Sequence, residues 1–99
     1  AEHRNMSEPL FELTSFQRDL LYVIVGLSSP SGQEIKTELQ EVIGEITHGR
    51  LYPNLDTLVN KGYVEKGQSD RRTNVYEITE KGTESLRSRR EWEDQYVNL

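Results

Sequence analysis

The sequence has no cysteine among its 99 residues, and this absence excludes several kinds of chemistry. Disulfides, thiolate metal sites, cysteine nucleophiles and thiol redox switches all require the missing side chain. A sulfur-based redox sensor would depend on Met6, the one methionine of the chain. A single thioether is a poor basis for such a sensor. We therefore expect no function based on sulfur chemistry.

Histidine is almost as scarce, since the chain has only His3 and His48. They lie far apart in the sequence, and no acidic cluster has the spacing of metal ligands. Neither a glycine-rich phosphate loop nor a nucleophile elbow occurs. The sequence therefore predicts a protein that is not an enzyme and that uses no metal or cofactor.

Long apolar runs are missing too. No segment approaches the roughly 20 residues that span a bilayer, and no signal peptide precedes the first predicted helix. We expect a cytoplasmic protein with no membrane partner. Hydrophobic residues make up 33% of the chain and charged residues 29%, which is typical of a small core with a highly charged surface. A domain of this length buries a low fraction of its surface, so we expect one domain that forms a homodimer.

The net charge of -5 argues at first sight against nucleic acid, because phosphate contacts require lysine and arginine. The distribution of charge changes that view. Residues 47–72 carry five basic and three acidic side chains, a local charge of +2, and the rest of the chain carries -7. A basic region suits a DNA surface. The acidic remainder is typical of proteins from a very salty cytoplasm.

The first 13 residues are polar and contain a proline, which indicates an N-terminal arm. The end of the arm is apolar, so we expect Leu10, Phe11 and Leu13 to pack against something, and the partner subunit is the candidate. A hydroxyl cap at Thr14 or the next residue begins the first helix. Apolar residues almost all the way round to about Ser28 predict that this helix is central and buried.

Two further helices follow with little chain between them. Ser31 begins a capping box that opens the second helix, and Gly44 provides a left-handed stop. The third helix begins at the Thr47 cap and closes at Gly62. Two helices joined by so short a turn are typical of a helix-turn-helix motif. Pro53, placed past the first turn, predicts a 3₁₀-like turn near the start of the third helix.

The third helix has two contrasting faces. Three leucines and a valine at helical spacing form an apolar stripe for the core, and polar side chains lie roughly opposite. The polar side chains carry donors suited to phosphates or base edges, and they are Arg50, Asn54, Thr57 and Lys61. This face is either the solvated side of an ordinary surface helix or a reader of DNA.

The segment after the third helix favours DNA. Short stretches beginning at Tyr63 and Asn74 are rich in strand-forming residues. Between them lies a polar turn, about residues 67–73, that carries Arg71 and Arg72. A hairpin with arginines at its tip, directly after a recognition helix, is a wing.

A last helix follows the hairpin and is capped by Thr79. Its early part has little apolar surface beyond Leu86, whereas Trp92, Tyr96 and Leu99 share one face near its end. Aromatic residues at the end of a chain need cover, so this helix either meets a partner or folds back on its own domain.

The order helix, helix, helix, hairpin, helix, together with two short sequence steps, resembles the PadR family of winged-helix transcription regulators. The steps are L-Y-P-x-L in the third helix and Y-x-I-T-x-K-G after the hairpin, and the resemblance covers roughly residues 14–90. It implies a mainly α fold with a small β-hairpin, a winged helix-turn-helix plus a C-terminal dimerisation helix. It also implies a homodimer on a pseudo-palindromic operator. With the acidic surface, it indicates a haloarchaeal member, and one such member is described as a regulator of the oxidative-stress response.

On this interpretation residues 1–13 are an arm, residues 14–79 the DNA-binding domain and residues 80–99 the dimerisation helix. The helix at about 47–61 would enter the major groove, where Arg50 suits guanine and Asn54 suits adenine, and the wing would reach the minor groove or the backbone. The expected DNA contacts are Thr47, His48, Arg50, Tyr52, Asn54, Thr57, Lys61, Arg71 and Arg72. The expected dimer contacts are Leu10, Phe11, Leu86, Trp92, Tyr96 and Leu99.

A second function class stays open. A winged helix also serves as a protein-protein interaction module without specific DNA binding, and the small local charge of residues 47–72 is compatible with that role. His48 is either a DNA contact or a polar residue near a helix start. No residue identifies a small-molecule effector, the operator sequence, or the choice between activation and repression.

Overall fold

A computed structural model describes residues 8–97. Its elements, in chain order, are α1 (Ser15–Leu27), α2 (Gly32–Ile43), α3 (His48–Asn60), β1 (Val64–Gln68), β2 (Asn74–Ile78) and α4 (Glu80–Asp94). This order confirms the predicted fold class of four helices and one hairpin. Three residues discussed above, His3, Met6 and the dimer candidate Leu99, lie outside the described residues.

Each helix begins where a hydroxyl side chain caps it. Thr14, Ser31, Thr47 and Thr79 have extended backbones, and each side chain accepts a hydrogen bond from a backbone N–H of the first turn. At α1 and α2 a glutamine or glutamate reaches back to the cap and completes a capping box. The predicted starts of all four helices are confirmed.

Two helices, α2 and α3, end close to a glycine. Gly44 and Gly62 have positive φ angles of 90° and 86°, which favour glycine and stop α2 and α3. Pro53 does not produce the expected 3₁₀-like turn, because α3 is α-helical from its first residue. The start of α3 is stabilised by hydrogen bonds from the backbone N–H groups of Arg50 and Leu51 to the carbonyl of Thr47. The helix is therefore already formed before Pro53, and it tolerates the N–H that proline lacks.

The core lies where α1, α2, α3 and the hairpin meet. It is built from leucines and isoleucines of the three helices with two buried tyrosines of the hairpin region, Tyr63 and Tyr76. Leu10 and Leu13 belong to it, with exposed fractions of 0% and 3%. The apolar end of the arm therefore packs on its own domain. This corrects the expectation that Leu10 meets a partner, because the fully buried side chain is not available to a second subunit.

One side of α1 is not covered by any other part of residues 8–97. Tyr22, Val25 and Leu27 are 38%, 43% and 38% exposed. The prediction of a helix buried all round is therefore wrong for this side. Tyr22 and Val25 line an open cleft of about 420 Å³ together with Leu86 of α4.

The hairpin is longer than the sequence indicated. Antiparallel pairing runs from Val64 opposite Ile78 to Gln68 opposite Asn74, so residues 67 and 68 belong to β1 and the turn spans only 69–73. The hairpin is joined to the α1–α2 connection, because Ser31 bridges Val75 and the backbone N–H of Tyr76 donates to the carbonyl of Pro30.

The start of α4 is fastened to the end of α3. The Thr79 hydroxyl donates to the carbonyl of Gly62 at 2.6 Å, and the Thr79 backbone N–H donates to that of Tyr63 at 3.0 Å. Lys81 Nζ donates to the carbonyl of Lys61 at 2.6 Å. At Gly82 an added Cβ would overlap the carbonyl oxygen of Tyr63, so only glycine fits this junction. With α4 included, the structure measures 47 × 26 × 21 Å.

Candidate nucleic-acid interface

The surface of α3 divides into four lines of residues, because each residue turns the helix by about 100°. Leu51, Leu55 and Leu58 form the buried line. The line opposite, called here the outward edge, consists of Gly49, Pro53, Asp56 and Asn60, all exposed. The predicted DNA face, Arg50 to Lys61, lies between these two lines. It is a flank, not the side opposite the core, and that part of the prediction is corrected.

This flank contacts the first turn of α1. The guanidinium carbon of Arg50 lies 3.9 Å from the centre of the Phe16 ring, a cation–π arrangement that holds an otherwise exposed side chain in place. Thr57 Oγ1 donates to the carbonyl of Pro53 at 3.1 Å, within the helix. Arg50 is thus presented from a fixed position at the N-terminal end of α3.

Asn54 is already hydrogen-bonded through both halves of its amide. Its Oδ1 accepts from Gln17 Nε2 at 2.9 Å, and its Nδ2 donates to the carbonyl of Arg50 at 2.7 Å. A bidentate contact to adenine needs both of these groups. In this arrangement Asn54 joins α1 to α3, so both halves of its amide are already engaged within the protein.

Lys61 forms an ion pair with Glu12, in the segment that precedes α1. Its Nζ lies 3.2 Å from Glu12 Oε1, and the other carboxylate oxygen of Glu12 accepts a hydrogen bond from the Tyr63 hydroxyl. These two donors, Tyr63 first, hold the pKa of Glu12 below its usual value. Burial, followed by the Glu12 carboxylate, raises the pKa of Tyr63. Lys81 Nζ lies 4.6 Å from the centre of the Tyr63 ring.

The opposite flank of α3 carries His48 and Tyr52. Their rings stack at 5.3 Å between centroids. Tyr52 packs over Gly32 at the start of α2, where an added Cβ would meet its hydroxyl oxygen at 2.7 Å. The exposed His48 and the half-buried Tyr52 therefore form one aromatic unit beside the N-terminus of α3, whose cap is Thr47.

The outward edge is not uniform along its length. Its N-terminal half, Gly49 and Pro53, is uncharged, whereas Asp56 carries a negative charge that is offset in part by Lys66 Nζ at 3.9 Å. Both of these charged side chains are well exposed, so the pair is weak. Because a carboxylate repels phosphate, the N-terminal half is the part of α3 suited to approach DNA closely.

The turn of the hairpin holds the two arginines on a fixed backbone. Asp70 Oδ1 accepts from the backbone N–H groups of Arg72 and Thr73, each at 2.9 Å, and these bonds lower the pKa of Asp70. The Ser69 N–H donates to the carbonyl of Thr73 and closes the turn. Arg71 and Arg72 are exposed at its tip, as the sequence predicted.

The aromatic end of α4 is partly covered by its own chain. Phe11 meets Trp92 edge to face at 4.9 Å, and Trp92 meets Tyr96 at 5.5 Å. Arg89 lies over both Phe11 and Trp92 and donates to the carbonyl of Pro9 at 3.3 Å. Phe11 and Tyr96 nevertheless remain 52% and 71% exposed. Leu86 is half-buried against the core.

The sequence did not reveal the partners of the predicted site. Phe16, Gln17, Glu12 and Tyr63 hold the flank of α3, yet they come from other parts of the chain and lack any periodic relation to it. The cap position of Gln17 is the one local signal, since its amide oxygen accepts from the backbone N–H of Thr14 while its nitrogen reaches Asn54. Among residues 8–97 no group of three or more metal-ligating side chains occurs. Within the same range no helix is long and apolar enough to cross a membrane.

Three capped helices followed by a hairpin with arginines at its tip define a winged helix-turn-helix of the DNA-binding kind. The chain belongs to the transcriptional regulator PadR-like family, whose model matches residues 20–88. It is a winged-helix transcription regulator, and not an enzyme. No protein of curated function matches it significantly.

Solved structures of a close relative agree with this assignment. The complex structure of hsRosR-S1 is 48% identical, covers 85% of this chain and 75% of that chain, and superposes with a TM-score of 0.79. The structure of h. salinarum RosR grown from NaBr is 44% identical, covers 91% and 84%, and has a TM-score of 0.81. F93 from STIV, a winged-helix DNA-binding protein, shares the fold at 22% identity over 85% of this chain and 94% of its own, with a TM-score of 0.68.

Proposed function

We propose that this regulator binds a pseudo-palindromic operator as a homodimer, with the N-terminal half of α3 in the major groove and the hairpin turn on the minor groove or the backbone. The proposal rests on the arrangement of side chains at the N-terminal end of α3. There an uncharged outward edge stands beside Arg50, which is exposed and braced on Phe16 at 3.9 Å. A braced guanidinium loses less conformational entropy when it pairs with guanine, which favours specific contact.

The contacts divide by the chemistry of each side chain. Arg50 is the proposed base reader, and Thr47, His48 and Thr57 lie where they would position the helix on phosphates. Tyr52 supports His48 by stacking. The exposed arginines of the hairpin turn would reach a narrow minor groove or nearby phosphates.

Two remaining candidates have different parts in this proposal. Asn54 and Lys61 act first within the protein, through Gln17 and Glu12, so they support the surface more than they read it.

A homodimer accounts for apolar surface that residues 8–97 of a single subunit leave open. Tyr22 and Val25 of α1 face a cleft beside α4, and Phe11 and Tyr96 remain exposed at the far end of α4. Two copies joined along α4 and α1 would cover both regions. The protein would then work in the cytoplasm, where its DNA is, and a role in the oxidative-stress response stays a prediction.

Selection from random duplex DNA by the purified protein tests the proposal, performed at low salt and again in molar KCl. We expect a motif of two half-sites that survives high salt, because base contacts and shape depend less on counterion release than phosphate contacts do. Enrichment of no motif at either salt concentration would refute the proposal and favour the protein-protein interaction module.

A further inference from the structure

We propose that Gly49 positions α3 for DNA recognition, because the absence of a side chain there lets the backbone of the outward edge approach the base edges. This inference rests on the proposed function and deepens it by naming a residue that sets how deeply the helix sits in the groove. Glycine carries no donor or charge of its own, so its role is one of geometry.

The fold of the chain does not require glycine at this position. An added Cβ at Gly49 would meet Thr47 Oγ1 at 3.9 Å, which is ordinary van der Waals contact. Gly32 and Gly82 differ, because an added Cβ there would collide with neighbouring atoms. Gly62 differs again, because its φ is positive. Gly49 lies in the first turn of α3, where alanine would be the more favourable residue.

Pro53 adds a second reason to place this backbone against DNA. It lies one turn after Gly49 on the outward edge and has no N–H, so the carbonyl of Gly49 lacks the helical partner it would otherwise have. A backbone carbonyl without a helical N–H partner can accept a hydrogen bond from the exocyclic amino groups that adenine and cytosine present in the major groove. The Pro53 ring is an apolar surface suited to a thymine methyl group.

The position of Arg50 next to Gly49 connects depth to specificity. The Arg50 guanidinium lies on Phe16, so extending it to compensate for a helix that sits too high would give up this contact. A methyl group at position 49 would separate the outward edge from the bases. It would thereby weaken the contact of Arg50 with guanine as well as the backbone contact, while leaving distant phosphate contacts in place.

The variant Gly49→Ala tests this inference against the duplex that the wild-type protein selects from a random pool. We expect affinity for that duplex to fall about tenfold or more, since a lost base contact has that size. Affinity for random DNA should be unchanged, and the thermal midpoint should stay the same or rise. A fall on the selected duplex with unchanged stability would not arise from misfolding.

Val42→Ala is the control. Val42 is 80% exposed on α2, away from the outward edge of α3 and from the open side of α1, so its truncation to alanine changes neither surface. We expect it to keep wild-type affinity. Equal binding of the selected duplex by Gly49→Ala and wild type would overturn the inference alone, as would an equal loss in Val42→Ala. Failure of the wild type to select any duplex would overturn the proposed function as well.

Discussion

Asn54 illustrates how a residue suited to reading bases is used inside the protein. Its amide completes a path from the cap of α1 through Gln17 to the carbonyl of Arg50. Each bond of this kind contributes about 0.5–1.5 kcal/mol to the free energy of unfolding. The same path fixes the angle between α1 and the start of α3, so Asn54 affects recognition through the position of Arg50.

A double-mutant cycle measures this connection. We expect Gln17→Ala and Asn54→Ala each to lower the free energy of unfolding, and the double variant to lose less than the sum by about 0.5–1.5 kcal/mol, because the two changes remove the same bond. Chemical denaturation at neutral pH provides the values. Strict additivity would mean that the two side chains are not paired in solution.

The two groups of arginines should differ in how they affect DNA binding. Arg50→Ala should reduce affinity for the preferred duplex by about 1–3 kcal/mol and relax sequence preference, because a base contact is lost. Arg72→Ala should weaken all duplexes alike and lower the salt slope by about 1, because a phosphate contact is lost. Titrations of preferred and random duplexes over a range of salt concentrations separate these results. Equal losses on both duplexes for both variants would contradict the division.

At the scale of elements, the turn before α1 fastens the end of α3. Glu12 accepts from Tyr63 and pairs with Lys61, so residues about 50 positions apart in the chain meet at one carboxylate. These donors favour the ionised carboxylate and lower the pKa of Glu12 from its ordinary value of 4.5. The group therefore stabilises the fold above that pH, and its contribution is lost as the pH falls through the lower, folded-state pKa.

Glu12→Gln should show this dependence. We expect the variant to unfold at a lower denaturant concentration than wild type at pH 7, and the difference to shrink as the pH falls below 4.5 and the wild-type carboxylate takes up a proton. Because the side chain is 41% exposed, the effect should be modest. Glu41→Gln, at an exposed position of α2, is the matched control and should leave the midpoint almost unchanged. A difference that is constant from pH 7 to pH 3 would exclude an ionic origin.

The elements themselves were predictable because their signals are local. Thr14, Ser31, Thr47 and Thr79 mark helix starts through bonds to residues three positions away, and sequence spacing contains that information. The length of the hairpin was less predictable, since pairing of residues 67 and 68 depends on the strand across from them. Contacts of the arm with the core depend on the whole fold, which is why Leu10 was assigned wrongly.

The orientation of α3 was predictable in part. The leucines fixed the buried line, and spacing alone already places Gly49, Pro53, Asp56 and Asn60 opposite to it. The basic residues of α3 and its C-cap, Arg50 and Lys61, lie on the neighbouring line, and the outward edge has none. One residue along a helix rotates the face by about 100°, so the line that is richest in hydrogen-bond donors is a flank and not the side opposite the core.

At the scale of the whole molecule, the open side of α1 allows a test of dimerisation. Val25→Lys places a charge beside the cleft between α1 and α4 and should shift a dimer towards monomer, because a buried unpaired ammonium is costly. Val42→Lys is the matched control, since Val42 is 80% exposed on α2 and should tolerate the same change. Sedimentation over a range of protein concentrations gives the dissociation constants. Unchanged association in Val25→Lys, with the fold intact by circular dichroism, would remove this side of α1 from the dimer interface.

The junction between α3 and α4 has a consequence for how two subunits would fit DNA. Hydrogen bonds from Thr79 and Lys81 to residues 61–63, and the close fit of Gly82, join the end of one helix to the start of the other. The two helices therefore turn together as one rigid corner. In a dimer held through α4, the crossing angle of the paired α4 helices would set the distance between the two copies of α3. Any ligand or modification that changed this angle would change which half-site spacing the protein fits, without touching a single DNA-binding side chain.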